Sequence, residues 1–256
     1  MGRKLLEIAY LGTSYCGWQV QPNGVTIQEI LQNSLYKILK YKPNVTGCSR
    51  TDSDVHAKQF FCHFDTDVNI PNNGLVLGLN TILPNDISAI NCYNVPDDFH
   101  ARYSATGKLY KYSIFLSEIK NPFLFGRTLL IKSPINLTLA NEYCDLLKGK
   151  HNFEAFSSIN RTVVDTVRTV SECYIDINDN ILDFYVKADG FLYNMVRIMV
   201  GTLLEYSSGK ISREDIAKAF STGDRTLLGA TAPPQGLYLE KVFYDNNDDI
   251  FFKDRS

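Results

Sequence analysis

The sequence lacks the features that mark membrane, secreted and cofactor-dependent proteins. Among its 256 residues the longest apolar runs are far shorter than a membrane span, and the first residues contain no extended apolar core of a secretory signal. None of the six cysteines stands in a CxxC pair, which favours a reducing setting. The glycine-rich signatures of nucleotide and dinucleotide binding and the GxSxG turn of α/β-hydrolases do not occur. We therefore expect a soluble, cytoplasmic protein without a cofactor.

An excess of positive charge is missing too. The net charge is −2 and the pI is about 6.1, which argues mildly against a nucleic-acid partner. Phosphate binding requires only local positive potential, however, so an acidic chain remains compatible with a basic cleft. Hydrophobic residues make up 45% of the chain and charged residues 21%, which is typical of a soluble globular protein.

Segments with the periodicities of strands and of helices are mixed along the whole chain. We predict strands at 4–10, 45–48, 59–64, 87–95, 109–116, 167–177, 181–188 and 237–244. We predict helices at 26–40, 71–83, 137–147, 191–206 and 212–221. This order indicates an α+β fold with two halves, residues 1–105 and 106–256, that share one continuous sheet.

The densest group of reactive side chains lies in the turn 47–57, GCSRTDSDVHA, between a predicted helix and an apolar strand. A solvated turn of aspartate and serine is the ordinary interpretation of such a segment. The functional interpretation is a carboxylate held beside a guanidinium. Asp52 and Asp54 could instead hold Mg²⁺ beside a phosphate, but the sequence offers no zinc or EF-hand ligand set. We therefore expect no metal.

Arg197 lies in the middle of the predicted helix 191–206, which is apolar almost all round and is therefore expected to be buried. A guanidinium keeps its charge, so a buried Arg197 requires an acidic partner. Asp52 is a candidate for that partner. The alternative is that Arg197 extends into solvent at the edge of the helix.

Tyr110 and Tyr112 share one face of the predicted strand 109–116. A tyrosine on a sheet is ordinarily half-buried packing. The functional alternative is an aromatic platform on which a base stacks, with Lys108 and Lys111 near the phosphates.

Six segments, spread in order over nearly the whole chain, carry a common resemblance. They are GTSYCGWQVQ at 12–21, SRTDSDVHA at 49–57, HARYSATGKLYKY at 100–112, HNFEAF at 151–156, GFLYNMVRIMVG at 190–201 and LGATAPPQGLYL at 228–239. Together they resemble the motifs of the TruA family of tRNA pseudouridine synthases. One such motif would be weak evidence, but six in the same order are specific.

The resemblance implies two ferredoxin-like halves with a shared mixed, mostly antiparallel sheet and an active cleft across its middle. It implies isomerisation of uridine to pseudouridine in the anticodon stem-loop of tRNA, by a homodimer that uses no cofactor and no metal. Asp52 matches the catalytic aspartate of the family, and Arg197 matches the arginine that pairs with it. Tyr110 matches the tyrosine that stacks on the target uracil, and Arg50 matches an arginine that helps to extrude the base.

One departure lies inside the central motif, because Asp54 replaces the family's glycine. If that position needs a positive φ, aspartate tolerates it better than most residues. The alternatives are a divergent member that modifies another RNA position, a non-catalytic RNA binder, or a metal-dependent transferase that uses Asp52 with Asp54. Weaker candidates for phosphate contacts, each of which could equally be ordinary surface, are Lys58, His100, Arg102, Lys108 and Lys111.

Overall fold

The structure is a computed structural model that describes residues 2–158 and 165–245. Strands and helices are mixed in it, so the predicted α+β class with a mixed sheet is confirmed. The described residues form two compact units, one of residues 2–107 with 238–245 and the other of residues 108–237. The last strand of the described residues therefore belongs to the first unit.

The first unit is a sheet with two helices. Its strands are β1 (Gly2–Tyr10), β2 (Thr46–Gly47), β3 (His56–Thr66), β4 (Ile87–Val95) and β10 (Leu237–Tyr244). Its helices are α1 (Ile27–Leu39) and α2 (Asn72–Asn80). The strand order is β4-β1-β3-β10, with β2 paired to β3. β1 is antiparallel to both neighbours, and β10 runs parallel to β3.

Local chemistry explains why α1 forms where the periodicity predicts a helix. The Thr26 side chain accepts a hydrogen bond from the backbone N–H of Glu29 and caps the first turn. Lys40 ends the helix in a left-handed conformation, with φ 67°. The buried residues of the helix are Ile27, Leu31, Ser34, Leu35 and Leu39. Their spacing is that of a helix with one face in the core.

The second unit has a sheet and three helices. Its strands are β5 (Ala105–Leu116), β6 (Leu129–Ile131), β7 (Gly149–Asn152), β8 (Val167–Asn178) and β9 (Ile181–Ala188). Its helices are α3 (Leu137–Leu147), α4 (Met195–Ser207) and α5 (Arg213–Thr222). The strand order is β5-β9-β8-β7, with β6 paired in parallel to β5. The strand β7 has no periodic signal that would have predicted it.

The segment 228–232 lies directly on α4 because two glycines permit close approach. A Cβ at Gly201 would overlap the carbonyl of Ala230, and a Cβ at Gly229 would lie 2.5 Å from the carbonyl oxygen of Gly201. The backbone N–H of Gly229 also donates to the Thr202 hydroxyl, at 3.1 Å. This packing brings the residues after 230 next to the first turn of α4.

The helix α4 starts later than predicted, at Met195 rather than at residue 191. The reason is the conformation of Asn194, whose φ of 62° is left-handed and cannot belong to an α-helix. Residues 192–195 form a turn instead, in which the N–H of Met195 donates to the carbonyl of Leu192. Among the described residues, no helix is long and apolar enough to cross a membrane.

Candidate active site

The four predicted site residues lie two in each unit. Arg50 and Asp52 share one loop of the first unit. Tyr110 on β5 and Arg197 on α4 belong to the second unit. Each pair is held in place by contacts within its own unit.

Asp52 stands at the start of a tight turn. The backbone N–H of Val55 donates to the carbonyl of Asp52 at 3.3 Å, and Asp54 has a φ of 65°. A left-handed residue at the third position, after a residue with negative φ, is the pattern of a type II turn. The position that holds glycine in the resembled motif therefore does adopt a positive φ, and this chain places aspartate in it. Asp52 is half-buried, whereas Arg50 is exposed.

Thr51, the residue before Asp52, is fixed by the loop that follows β1. The N–H of Trp18 donates to the Thr51 carbonyl at 3.1 Å, and the Thr51 hydroxyl shares a 2.8 Å hydrogen bond with Tyr10. Gly17, at φ 79°, approaches so closely that a Cβ there would lie 2.5 Å from the Thr51 carbonyl oxygen. The two motifs around residues 12–21 and 49–57 are therefore parts of one structure.

The other end of the turn is fixed through Gly12 and His56. The N–H of Gly12 donates to Nδ1 of the buried His56 at 2.9 Å, and the His56 ring packs 4.6 Å from the ring of Tyr238. A Cβ at Gly12 would overlap the carbonyl oxygen of Val55. His56, which the sequence placed among the reactive side chains, is thus buried and fixes the end of the turn through its contact with Gly12. The sequence signal for this contact is the glycine itself, because only glycine allows so close an approach.

Tyr110 is buried in the sheet of the second unit, opposite Val186 of β9. Its ring meets the ring of Phe191 edge to face, with the centroids 4.9 Å apart. This geometry is favourable between aromatic rings and fixes the plane of the tyrosine ring. Phe191 lies in the turn that leads to α4, so the surroundings of Tyr110 and of Arg197 are linked through one short segment.

Arg197 is half-buried, so the prediction that this arginine is buried is wrong although α4 itself is buried. The guanidinium extends along the helix towards its first turn, where two oxygen atoms accept hydrogen bonds from it. Its Nε donates to the carbonyl of Ala232 at 2.8 Å, and its Nη1 donates to Oδ1 of Asn194 at 2.8 Å. The N–H of Ala232 donates in return to the Arg197 carbonyl at 3.0 Å. Two fixed contacts determine the orientation of the guanidinium plane.

Tyr112 supports the same segment from the sheet. Its hydroxyl donates to the carbonyl of Pro233 at 2.7 Å, one residue after the partner of Arg197. Burial raises the pKa of Tyr112, and the charge of Arg197 acts in the opposite direction. Tyr112 therefore remains a protonated donor at neutral pH and holds the segment 232–233 in place.

The weaker phosphate-binding candidates differ in what they contact. Lys58 pairs with Glu240 at 2.8 Å, and Lys111 pairs with Asp183 at 3.1 Å, so neighbouring carboxylates partly neutralise both. Lys108 is half-buried. These partners lie on other strands, which is why the sequence offers no signal for them.

His100 is held in an exposed turn whose surroundings disfavour the charged imidazole. Its Nδ1 accepts from the N–H groups of Arg102 and Tyr103. Burial lowers the pKa of His100, and the charges of Arg3 and Arg102 lower it further. The guanidinium of Arg102 lies 5.7 Å from the centre of the Tyr103 ring. The environment of His100 thus disfavours its charged form, whereas the Arg102 guanidinium is a permanent cation.

Comparison with known proteins assigns the chain to one group of relatives. A family model described as tRNA pseudouridine synthase matches residues 144–245. The chain is 44% identical to tRNA pseudouridine synthase A 2 of Clostridium perfringens, over 93% of this chain and 98% of that protein. It is 41% identical to tRNA pseudouridine synthase A of a Thermoanaerobacter species, over 95% and 100% of the two chains. The protein of the same name from Staphylococcus aureus is 39% identical, over 96% and 93%.

Proposed function

This chain belongs to the tRNA pseudouridine synthase A (TruA) family, and we propose that it isomerises uridine to pseudouridine in tRNA. The observation that carries the proposal is the turn that holds Asp52. Hydrogen bonds and close glycine contacts fix the backbone on both sides of this aspartate, while its side chain stays half-exposed. A rigid loop that presents one carboxylate suits covalent or proton-transfer chemistry.

The reaction is balanced within the substrate. The C1′–N1 glycosidic bond breaks, the uracil turns over, and a C1′–C5 bond forms while C5 loses its proton and N1 gains one. A carboxylate at Asp52 serves this sequence either as a nucleophile towards the sugar or the base, or as an acceptor of the proton.

Arg197 has the role of pairing with the reactive carboxylate. A guanidinium beside a carboxylate keeps it ionised and oriented. The support from this chain is that two of the guanidinium nitrogens are already fixed, through Ala232 and Asn194. An arginine that is oriented before the substrate binds loses little conformational freedom in the reaction.

Tyr110 and Arg50 act on the base. Tyr110 stacks on the target uracil and moves the C5 proton, directly or through a water. Arg50 is exposed two residues before Asp52, which suits a side chain that enters the RNA stack and displaces the target nucleotide. A chain that only binds RNA would not need a carboxylate facing phosphates.

The finer features of the proposal rest on the family resemblance. They are uridines of the anticodon stem-loop as targets, a homodimer as the working form and the cytoplasm as the location. Purified protein incubated with unmodified tRNA, followed by pseudouridine mapping, tests the activity and the target positions together. Absence of pseudouridine from every tRNA position would contradict the proposal.

Asp52→Asn is the decisive variant, because asparagine keeps the shape of the side chain and removes its charge and nucleophile. We expect the rate of tritium release from C5-labelled uridine in tRNA to fall by roughly a thousandfold or more, with tRNA affinity nearly unchanged.

Asp54→Asn is the matched control, since asparagine also tolerates the positive φ at that position. We expect it to react like the parent protein, with or without a chelator. If Asp54→Asn or the chelator abolished turnover, the metal-dependent alternative would replace this proposal. Turnover of Asp52→Asn within a factor of about ten of the parent would refute the role of Asp52.

A further inference from the structure

The side chain of Asn194 does not cap α4, although this residue stands directly before the helix. An asparagine that precedes a helix ordinarily accepts a hydrogen bond from a backbone N–H of the first turn. Within the described residues, the Asn194 side chain makes no such cap. Its Oδ1 accepts from Nη1 of Arg197 at 2.8 Å, and its Nδ2 donates to Oγ of Ser158 at 2.8 Å. Both ends of the amide therefore serve side chains instead of the helix.

The backbone of Asn194 is also in a conformation that most residues avoid. Its φ is 62° and its ψ is 6°, in the left-handed region. Glycine adopts this conformation without strain, so the turn alone would favour glycine at this position. The amide group is what glycine would lack. Asn194 therefore gives up both the helix cap and an unstrained backbone, and its side chain contacts Arg197 three positions later.

The contact decides how the guanidinium is oriented. Arg197 donates through Nε to the Ala232 carbonyl, which holds one edge of the guanidinium. The second contact, from Nη1 to Asn194, fixes the plane. The acceptor is a neutral amide, so it orients the cation without neutralising it. A carboxylate in the same place would form an ion pair with Arg197.

Ser158 connects this contact to a neighbouring segment. The N–H of Ser158 donates to the Tyr193 carbonyl at 3.3 Å, while its hydroxyl receives the Asn194 amide. Two and three residues earlier, Phe156 and Ala155 are fully buried in a short helical turn. The amide of Asn194 is thus supported by a packed segment that lies far away in the sequence.

We propose that Asn194 is a positioning residue of the active site, which orients the guanidinium of Arg197 and connects it to the segment 153–158. The inference rests on the proposed function, because Arg197 must act on the reacting carboxylate for its orientation to matter. Asn194 touches neither RNA nor the reacting atoms in this scheme. Its effect is on the catalytic step and on the charge that Arg197 supplies.

Asn194→Gly is the first test, because glycine keeps the left-handed backbone and removes the amide. We expect the single-turnover rate on tRNA to fall roughly 10- to 100-fold, the loss typical of a misplaced catalytic group. The dissociation constant for tRNA stays within about twofold, because a positioning residue contributes to the chemical step and little to ground-state binding. Asp179→Gly, another left-handed position in the same unit, is the matched control and leaves both values unchanged.

Asn194→Asp is the second test, and its readout is the pH profile. Aspartate keeps the size and the backbone tolerance but pairs with Arg197 and neutralises its charge. The pKa of the reacting carboxylate then rises, because an adjacent cation no longer favours its ionised form. We expect the acid limb of the kcat/KM profile to move to higher pH. A purely structural role of Asn194 would lower the rate without moving this limb.

The outcomes separate the inference from the proposed function. Wild-type turnover of Asn194→Gly, or a loss of tRNA affinity in place of rate, overturns the positioning role and leaves the proposed function intact. A drop in melting temperature that accounts for the lost activity overturns it as well. If the parent protein forms no pseudouridine, the proposed function fails. The NMR signal of the Arg197 Nη1–H still tests the orientation, because this group donates to Asn194 and its protection from exchange must fall in Asn194→Gly.

Discussion

Tyr110 combines a structural and a chemical role in one side chain. It is buried and packs edge-on against Phe191, so its ring contributes to the fold of the second unit. The sequence predicted half-buried packing as the ordinary case, and the burial is greater than that. In the proposed reaction the same ring stacks on uracil, so its two roles are separated only by substitutions that remove one of them.

We predict that Tyr110→Phe binds tRNA nearly normally and isomerises poorly, because phenylalanine keeps the aromatic face and loses the phenol. Tyr110→Ala also binds less well, since stacking on an extruded base contributes roughly 1–3 kcal/mol. Single-turnover rates, binding constants and melting curves of both variants measure this.

Tyr112→Phe is the control on the same face of β5. It removes the hydrogen bond to Pro233 and destabilises the protein by about 1 kcal/mol, without removing the phenol that is proposed to move the C5 proton. If Tyr110→Phe reacted as fast as the parent, the phenol of Tyr110 would have no part in the reaction.

The loop after β1 and the turn that contains Asp52 pack against each other as one rigid element. Gly12 and Gly17 touch Val55 and Thr51, and neither contact leaves room for a Cβ. The sequence carries both glycines as motif residues, but their partners lie some forty residues further along the chain. Periodicity cannot predict such a contact, since it reports only which face of an element is apolar.

We predict that Gly12→Ala displaces the turn and lowers the isomerisation rate by roughly a hundredfold, because a small misplacement of a catalytic group has an effect of that size. Gly74→Ala in α2 is the control, since a Cβ there meets nothing closer than 3.9 Å. Replacing a helical glycine by alanine stabilises by about 0.5–1 kcal/mol. Rates and melting temperatures of both variants check this, and an active Gly12→Ala would contradict it.

The turn after residue 99 is tied to β3 through a histidine that must remain neutral. Nδ1 of the buried His63 accepts the N–H of Ala101 at 3.1 Å. Burial, with the charges of His100 and Arg3, lowers the pKa of His63 to about 4. As the pH falls, His63 therefore binds a proton at a higher pH in the unfolded chain than in the folded chain.

We therefore predict that stability falls as the pH drops from about 6.5 towards 4, by up to about 1.4 kcal/mol per pH unit from this group. His63→Asn keeps an acceptor for Ala101 and lacks the titration, so its unfolding free energy should depend less on pH over this interval. Urea denaturation of both proteins at several pH values measures the difference. Equal pH dependence would show that His63 is not responsible.

For the whole molecule, the acidic composition and the proposed RNA substrate have to be reconciled. The net charge is −2, and Lys58 and Lys111 pair with carboxylates. Binding of tRNA therefore depends on a small number of Lys and Arg side chains that make the potential locally positive on a chain with a negative net charge. Such binding is sensitive to salt, because each neutralised phosphate releases a counterion.

We predict that log affinity for tRNA falls linearly with log salt, with a slope of about 0.9 per phosphate contact on duplex. Lys108→Ala should reduce this slope by about one contact. Lys148→Ala is the control, because Lys148 is exposed and pairs with Asp145 of α3. This variant should leave the slope unchanged. A salt-independent affinity, or tighter binding of a uracil nucleotide than of tRNA, would contradict the prediction.

Sequence patterns were sufficient to predict the fold class, the family and the bounds of the most periodic elements. β4, β9, β10 and α3 begin and end at the predicted residues, because alternation and helical spacing depend only on near neighbours. The order of the six motifs identified the family before any geometry was known. For Asp54 the sequence raised the condition of a positive φ, because the resembled motif carries glycine there, and the structure shows that φ.

How the site residues are held depends on contacts that form only in the folded chain. The late start of α4, the support of Arg197 by Ala232 and Asn194, and the pairing of Lys58 with Glu240 all depend on residues that meet only in the fold. The Asn194 amide binds two side chains instead of the helix backbone, and one of them, Ser158, lies thirty-six positions away. Hydrogen bonds between distant segments have no local pattern in the sequence, so only the packed chain shows which donor meets which acceptor.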